Sequence, residues 1–103
     1  MFITVFRNRK RTGFDAVAYD ADAAHMIDLA SAMPGFRSIK TFHADDGEVV
    51  TISEWDSEAH AKAWGRHPEH TVVQSRGRSE YYESYASISM SDPRVSSFGR
   101  HGE

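Results

Sequence analysis

The sequence predicts an α+β protein of the ferredoxin-like type, with the order β-α-β-β-α-β. Three observations carry this expectation. Residues Phe2 to Arg9 alternate as a strand does. From about Asp15 to Met33 the chain lacks Gly and Pro, and its apolar residues recur at helical spacing. Asp45-Asp46-Gly47 then lies between two further strand-like segments, and Gly suits the positive φ of a tight hairpin turn. A second helical stretch and a last strand complete the pattern.

Each element has its own signal. In the first strand, Phe2, Thr4, Phe6 and Asn8 share one face, and Ile3, Val5, Arg7 and Arg9 the other. If Phe2 and Phe6 turn inward, Asn8 does too. In the long helix Tyr19, Ala23, Met26, Ile27, Ala30 and Met33 form the apolar stripe, and Pro34-Gly35 stops it. Phe36 to His43 and Glu48 to Trp55 are the hairpin strands. Asp56 and Ser57 have the character of an N-cap for a short helix through Trp64. Gly65 breaks it, and Pro68 suits the first turn of another, running to about Arg76. Gly77 ends that helix. The fourth strand is expected from Tyr81 to Met90, with Tyr82, Ser84, Ala86, Ile88 and Met90 on one face and Tyr81, Glu83 and Tyr85 on the other. Residues 1–90 form one domain. Residues 91–103 are polar, with Pro, Gly and Ser, and read as a flexible tail.

Composition narrows the function classes. The 103 residues suffice for one domain with a limited core, so a second copy would help bury apolar area. Aromatics on both faces of a four-stranded sheet point the same way, to a homodimer packed sheet to sheet. The net charge of −3 argues against nucleic acid. The Arg7-Asn8-Arg9-Lys10-Arg11 run, set in an acidic chain, reads as solvated surface. Nothing approaches a membrane span, and Met1 to Val5 lack a signal-peptide layout. Cysteine is absent, which excludes disulfides and thiol chemistry and fits a cytoplasmic protein.

Chemistry concentrates between Trp55 and Tyr85. Both tryptophans, three of six histidines (His60, His67 and His70) and three of four tyrosines fall there. Aromatics offer flat contact area to a flat ligand, and histidine moves protons near neutral pH. Trp64 reads either as a core anchor or as the wall of a site. Trp55 reads as packing. Asn8, a short amide among Phe2, Thr4 and Phe6, should cost stability unless it is paired or faces a cavity. His67 and His70 lie three apart, on one helix face, and are not read as a metal site. His70 is either a cavity residue or a hydrogen-bonded histidine at the helix start. Arg78 either meets an anionic group or pairs with Glu80 or Glu83. Tyr82 shares the face of Ile88 and can line a cavity.

One combined string is more specific. It comprises Met33-Pro34-Gly35-Phe36, Asp46-Gly47, Ile52-Ser53-Glu54-Trp55-Asp56-Ser57-Glu58-Ala59 and Ala63-Trp64. His67-Pro68-Glu69-His70, Gln74, Gly77-Arg78 and Tyr81-Tyr82-Glu83-Ser84-Tyr85 complete it. The chain thereby resembles the antibiotic biosynthesis monooxygenase family, in the branch of small proteins related to haem-degrading monooxygenases. The resemblance covers about Phe2 to Ile88. It implies a dimeric α/β barrel, with one cavity per subunit between sheet and helices. It implies Asn8 and Trp64 as catalytic residues; with the faces and spacing above, His70 is expected as the third, and Phe6, His67, Gln74, Arg78 and Tyr82 as substrate-binding. Haem-degrading members use an Asn on the first strand, a Trp on the helix after the third strand and a downstream His on iron. Asn8 and Trp64 match, but Gln74 stands near the usual His position. Quinone-forming members need neither metal nor organic cofactor. The expectation is therefore a cofactor-free monooxygenase acting on a flat aromatic, quinone- or polyketide-like substrate. The alternatives are a haem-binding, haem-degrading enzyme and a non-catalytic dimeric ligand-binding or stress module.

Overall fold

In the computed structural model, which describes residues 1–100, the elements follow the expected order. They are β1 (Phe2–Lys10), α1 (Ala16–Ser31), β2 (Phe36–His43), β3 (Val49–Trp55), α2 (Glu58–Gly65), α3 (Pro68–Arg76) and β4 (Tyr82–Ser91). The strands form one antiparallel sheet in the order β2-β3-β1-β4. The α+β ferredoxin-like arrangement is present. The closed barrel is not. β2 and β4 are the two edges, separated by β3 and β1, and they do not pair. Four strands are too few to close on themselves; barrels with a filled interior take about eight.

Local chemistry sets the ends of the helices. Asp15 caps α1 by accepting the Ala18 N–H at 3.0 Å. Ser57 caps α2 through the His60 N–H, and the His67 ring caps α3 through the Glu69 N–H, with Pro68 in its first turn. Between α1 and β2, Gly35 has φ +79°, and a Cβ there would lie 2.2 Å from the His60 ring. Only glycine fits that turn.

The helices cover one face of the sheet. Phe2 and Trp55, paired across β1 and β3, pack with Met26 and Ala30 of α1 and Trp64 of α2. Trp55 is 1% exposed and Ala30 is fully buried. Of the expected α1 stripe, Met26 and Ala30 are buried, whereas Ile27 is exposed. The opposite, outer face carries Ile3, Val5, Val50 and Ile52, with Ile88 and Met90 exposed at its β4 edge.

The fourth strand departs from expectation. Tyr81 is not in it. It belongs to a π-helical turn, Gly77–Tyr81, that prolongs α3. There Tyr81 is buried, and its hydroxyl donates to Asp22 Oδ2 at 2.6 Å, tying the turn to α1. Burial and the adjoining Asp22 push its pKa up to about 12. A register shift where Arg9 and Lys10 meet β4 then skips Glu83. It moves Tyr82 off the face of Ile88 and onto the inner face with Tyr85. β4 runs on to Ser91, one residue into the expected tail. The Asp92 N–H donates to the Met1 carbonyl at 2.8 Å. Beyond it residues 93–100 carry no regular structure. The last three residues of the tail, 101–103, lie outside the described residues.

Candidate active site

The inner face of the sheet has an aromatic group at each end and a polar floor between. Thr4, Thr51, Ser53, Ser87 and Ser89 occupy the middle, opposite one another or opposite Phe6 in the strand register. The Thr4 and Ser89 hydroxyls are 3.4 Å apart, and those of Thr41 and Thr51 2.9 Å. A helix-covered sheet ordinarily carries large apolar side chains here. Small hydroxyls leave the middle thinly packed, and Ser87 and Ser89 stay exposed.

Trp64 lies at one end, 8% exposed and packed near Trp55, their ring centroids 6.4 Å apart. The His70 ring stacks on its indole at 4.2 Å with a 13° tilt. His70 Nδ1 is 3.0 Å from the Trp64 carbonyl, so Nδ1 carries the proton and donates. In the neutral ring Nε2 then keeps its lone pair. Burial pushes the His70 pKa below the usual imidazole value, opposed by the bond to the Trp64 carbonyl and aided by nearby His67. His67 tilts against Trp64 at 5.7 Å. Gln74, half-buried on α3, accepts the Gly77 N–H with its backbone carbonyl. Arg78 is exposed on the π-helical turn and forms no ion pair among the described residues.

Asn8 lies at the other end and is 2% exposed. Its Oδ1 accepts from Lys10 Nζ, while its Nδ2 has no partner among the described residues. The Lys10 ammonium sits over the Tyr19 ring at 4.3 Å and the Tyr82 ring at 5.3 Å. Burial lowers the Lys10 pKa, partly offset by Asp20. Phe6 contacts Tyr82 at 5.5 Å and Tyr85 at 5.3 Å. Burial, with Tyr19 next, pushes the Tyr82 phenol upward, so it stays protonated.

The structure thus brings Trp64, His67 and His70 together, and separately Phe6, Asn8 and Tyr82. No hydrogen bond or ring contact joins the two groups among the described residues. Asn8 is six positions beyond Phe2 on β1, about 20 Å of strand. Sequence reasoning missed Lys10 and Tyr19. The basic run is not uniformly solvated: Arg7 and Arg9 are exposed and pair with Glu48 and Asp46, while Asn8 and Lys10 turn inward. Strand alternation, extended by one step past Asn8, contains that signal.

The sequence model of the antibiotic biosynthesis monooxygenase family matches residues 1–76. With the ferredoxin-like sheet above, this places the chain in that family. The Bacillus subtilis protein YqjZ is 40% identical over 68 residues, covering 66% of this chain. The chain spans 60% of the length of that relative. Among solved structures, Rv0793 from Mycobacterium tuberculosis superposes with a TM-score of 0.80 at 18% identity, covering 93% of this chain and 98% of its own. The cofactor-independent oxygenase SnoaB from Streptomyces nogalater superposes with a TM-score of 0.75 at 12% identity, covering 91% and 94%. At such identities these two likenesses speak for the fold. Family membership supports a general oxygenase-like function. No helix among the described residues is long and apolar enough to cross a membrane.

Proposed function

We propose that the protein is a small monooxygenase whose substrate is a flat, multi-ring aromatic lying along the inner face of one subunit. The observation that carries this reading is the neutral His70 ring stacked on Trp64, at the end of a low polar floor. His70 Nε2 takes a proton from an acidic carbon or hydroxyl of the substrate. Trp64 stacks on the ring that loses the proton. Phe6 and Tyr82 wall the far end, Arg78 offers a second cation, and His67 and Gln74 border the near end. The electron-rich anion is itself the reductant of oxygen. A ring CH₂ becomes C=O, one oxygen atom is retained, and the other leaves as water. The cofactor-independent character named for SnoaB supports a reading without organic cofactor or metal.

Anthrone, a three-ring substrate with such a CH₂, tests the reading in an oxygen electrode with chelator present. Uptake of one oxygen per anthrone is expected, falling on the order of a hundredfold in His70→Ala. Uptake no faster than buffer overturns it. The Nε2 lone pair is also a competent iron ligand, which favours haem binding as the second reading. His70 would then hold the haem, with Asn8 as a hydrogen-bond donor to the bound group. A Soret shift on haem titration, lost in His70→Ala, selects that reading.

The working unit is proposed to be a homodimer in the cytoplasm. The outer face holds Ile3, Val5, Val50 and Ile52 beside exposed Ile88 and Met90, and no helix or strand among the described residues covers it. A stable monomer at micromolar concentration in sedimentation contradicts the pairing.

A further inference from the structure

Between β1 and α1, at the end of the inner face that the oxygenase reading uses only as a wall, lies a polar pair that proton transfer at His70 does not use. Asn8 is buried, and its amide orientation follows from its neighbour. Oδ1 must face the Lys10 ammonium, because the reverse would set donor against donor. Nδ2 is left without a partner. A buried donor of this kind costs stability unless something outside the chain satisfies it. The Lys10 ammonium beside it is half-buried over two tyrosine rings and has no carboxylate in salt-bridge contact among the described residues. Two donors, one cationic and one neutral, therefore sit side by side on the inner face. Phe6, Tyr82 and Tyr85 form an aromatic wall alongside, and Tyr85 is 45% exposed, so the wall is open to solvent.

We propose that Asn8 Nδ2 and Lys10 Nζ form a binding subsite for the carboxylate of an aromatic acid, whose ring lies against Phe6, Tyr82 and Tyr85. One carboxylate oxygen accepts from each donor. Planar geometry suits the group: a carboxylate presents two coplanar acceptors, and the rings beside it favour a flat substituent. Lys10 is poorly solvated where it stands, and a bound anion restores what water cannot supply. The subsite adds a ligand class, the ring-bearing carboxylate, that the oxygenase chemistry at His70 does not demand.

Calorimetric titration with naphthoate and with its neutral isostere naphthamide tests this without any turnover. Naphthoate is expected to bind at least about tenfold more tightly than naphthamide, the difference of one charge-assisted hydrogen bond. Lys10→Met is expected to abolish that preference while naphthamide binding holds, and Lys10→Arg to retain most of it. Melting curves establish that the variants remain folded. Equal affinity for the two probes, no binding of naphthoate by the parent protein, or an undiminished preference in Lys10→Met overturns the proposal. A protein that fails to oxidise anthrone yet keeps Lys10-dependent naphthoate binding loses the oxygenase reading and retains this subsite.

Discussion

The two ends of the inner sheet face are built on opposite principles. At the Trp64 end, Phe2, Met26, Ala30 and Trp55 interlock into the apolar core. Of the two histidine rings there, His70, stacked on Trp64, has its Nδ1 satisfied by a backbone carbonyl. At the Asn8 end the buried groups are an amide with an unpartnered nitrogen and a half-buried ammonium. The first end holds the fold together. The second spends stability on polar groups that packing alone would not select. Local rules obeyed at one end and broken at the other mark where a protein departs from stability for function.

Breaking the packed end should have the largest effect. Trp55→Ala removes the most buried large side chain and should cost about 3–5 kcal/mol in urea unfolding. A loss under about 1 kcal/mol would mean the core lies elsewhere. Next comes the histidine that joins core to chemistry. Its folded pKa lies below its unfolded value, so its neutral form stabilises the protein above about pH 6.5. Stability should fall as pH drops through the folded value, because the unfolded chain then binds the extra proton. His70→Gln should remove that part of the pH dependence, as followed by melts from neutral to acidic buffer. An unchanged slope would show that His70 titrates normally.

The Asn8 end should respond in the opposite way. Asn8→Ala deletes an unsatisfied donor and frees Lys10 to reach water, so stability should stay within about 1 kcal/mol of the parent or rise. A loss of several kcal/mol would make Asn8 a structural residue and erase the contrast. Smallest of all is the tail. Residues 94–100 are exposed, and deleting 93–103 should shift the melting temperature by no more than a few degrees. A large shift would give the tail a packing role.

The fold was legible because its elements announce themselves locally. Strand alternation from Phe2, the uninterrupted stretch ended by Pro34-Gly35 and the Asp46-Gly47 turn each specify one element without reference to the rest. Trp64, His70 and Asn8 stood out as residue types out of keeping with their neighbours, and the structure buries Trp64 and Asn8. The barrel implied by the resemblance was overturned, because whether sheet edges meet is not written in any local pattern. The face of Tyr82 was missed for a related reason. A single bulge opposite Arg9 and Lys10 inverts every side chain beyond it, and no residue in β4 signals a bulge. Lys10 was hidden by composition. In a run of four cations the one that turns inward looks like the three that do not, and only the strand period tells them apart.

The central claim is that the two ends serve one flat ligand lying over the hydroxyl floor. Amide chemical-shift mapping with alizarin, a planar three-ring quinone, tests it most directly. The account predicts perturbations at both ends, at Asn8, Lys10 and Tyr82 and at Trp64 and His70, and at Thr4 and Ser89 between them, all saturating with one affinity. Perturbations confined to one end, or centred on Ile88 and Met90 of the outer face, would contradict it.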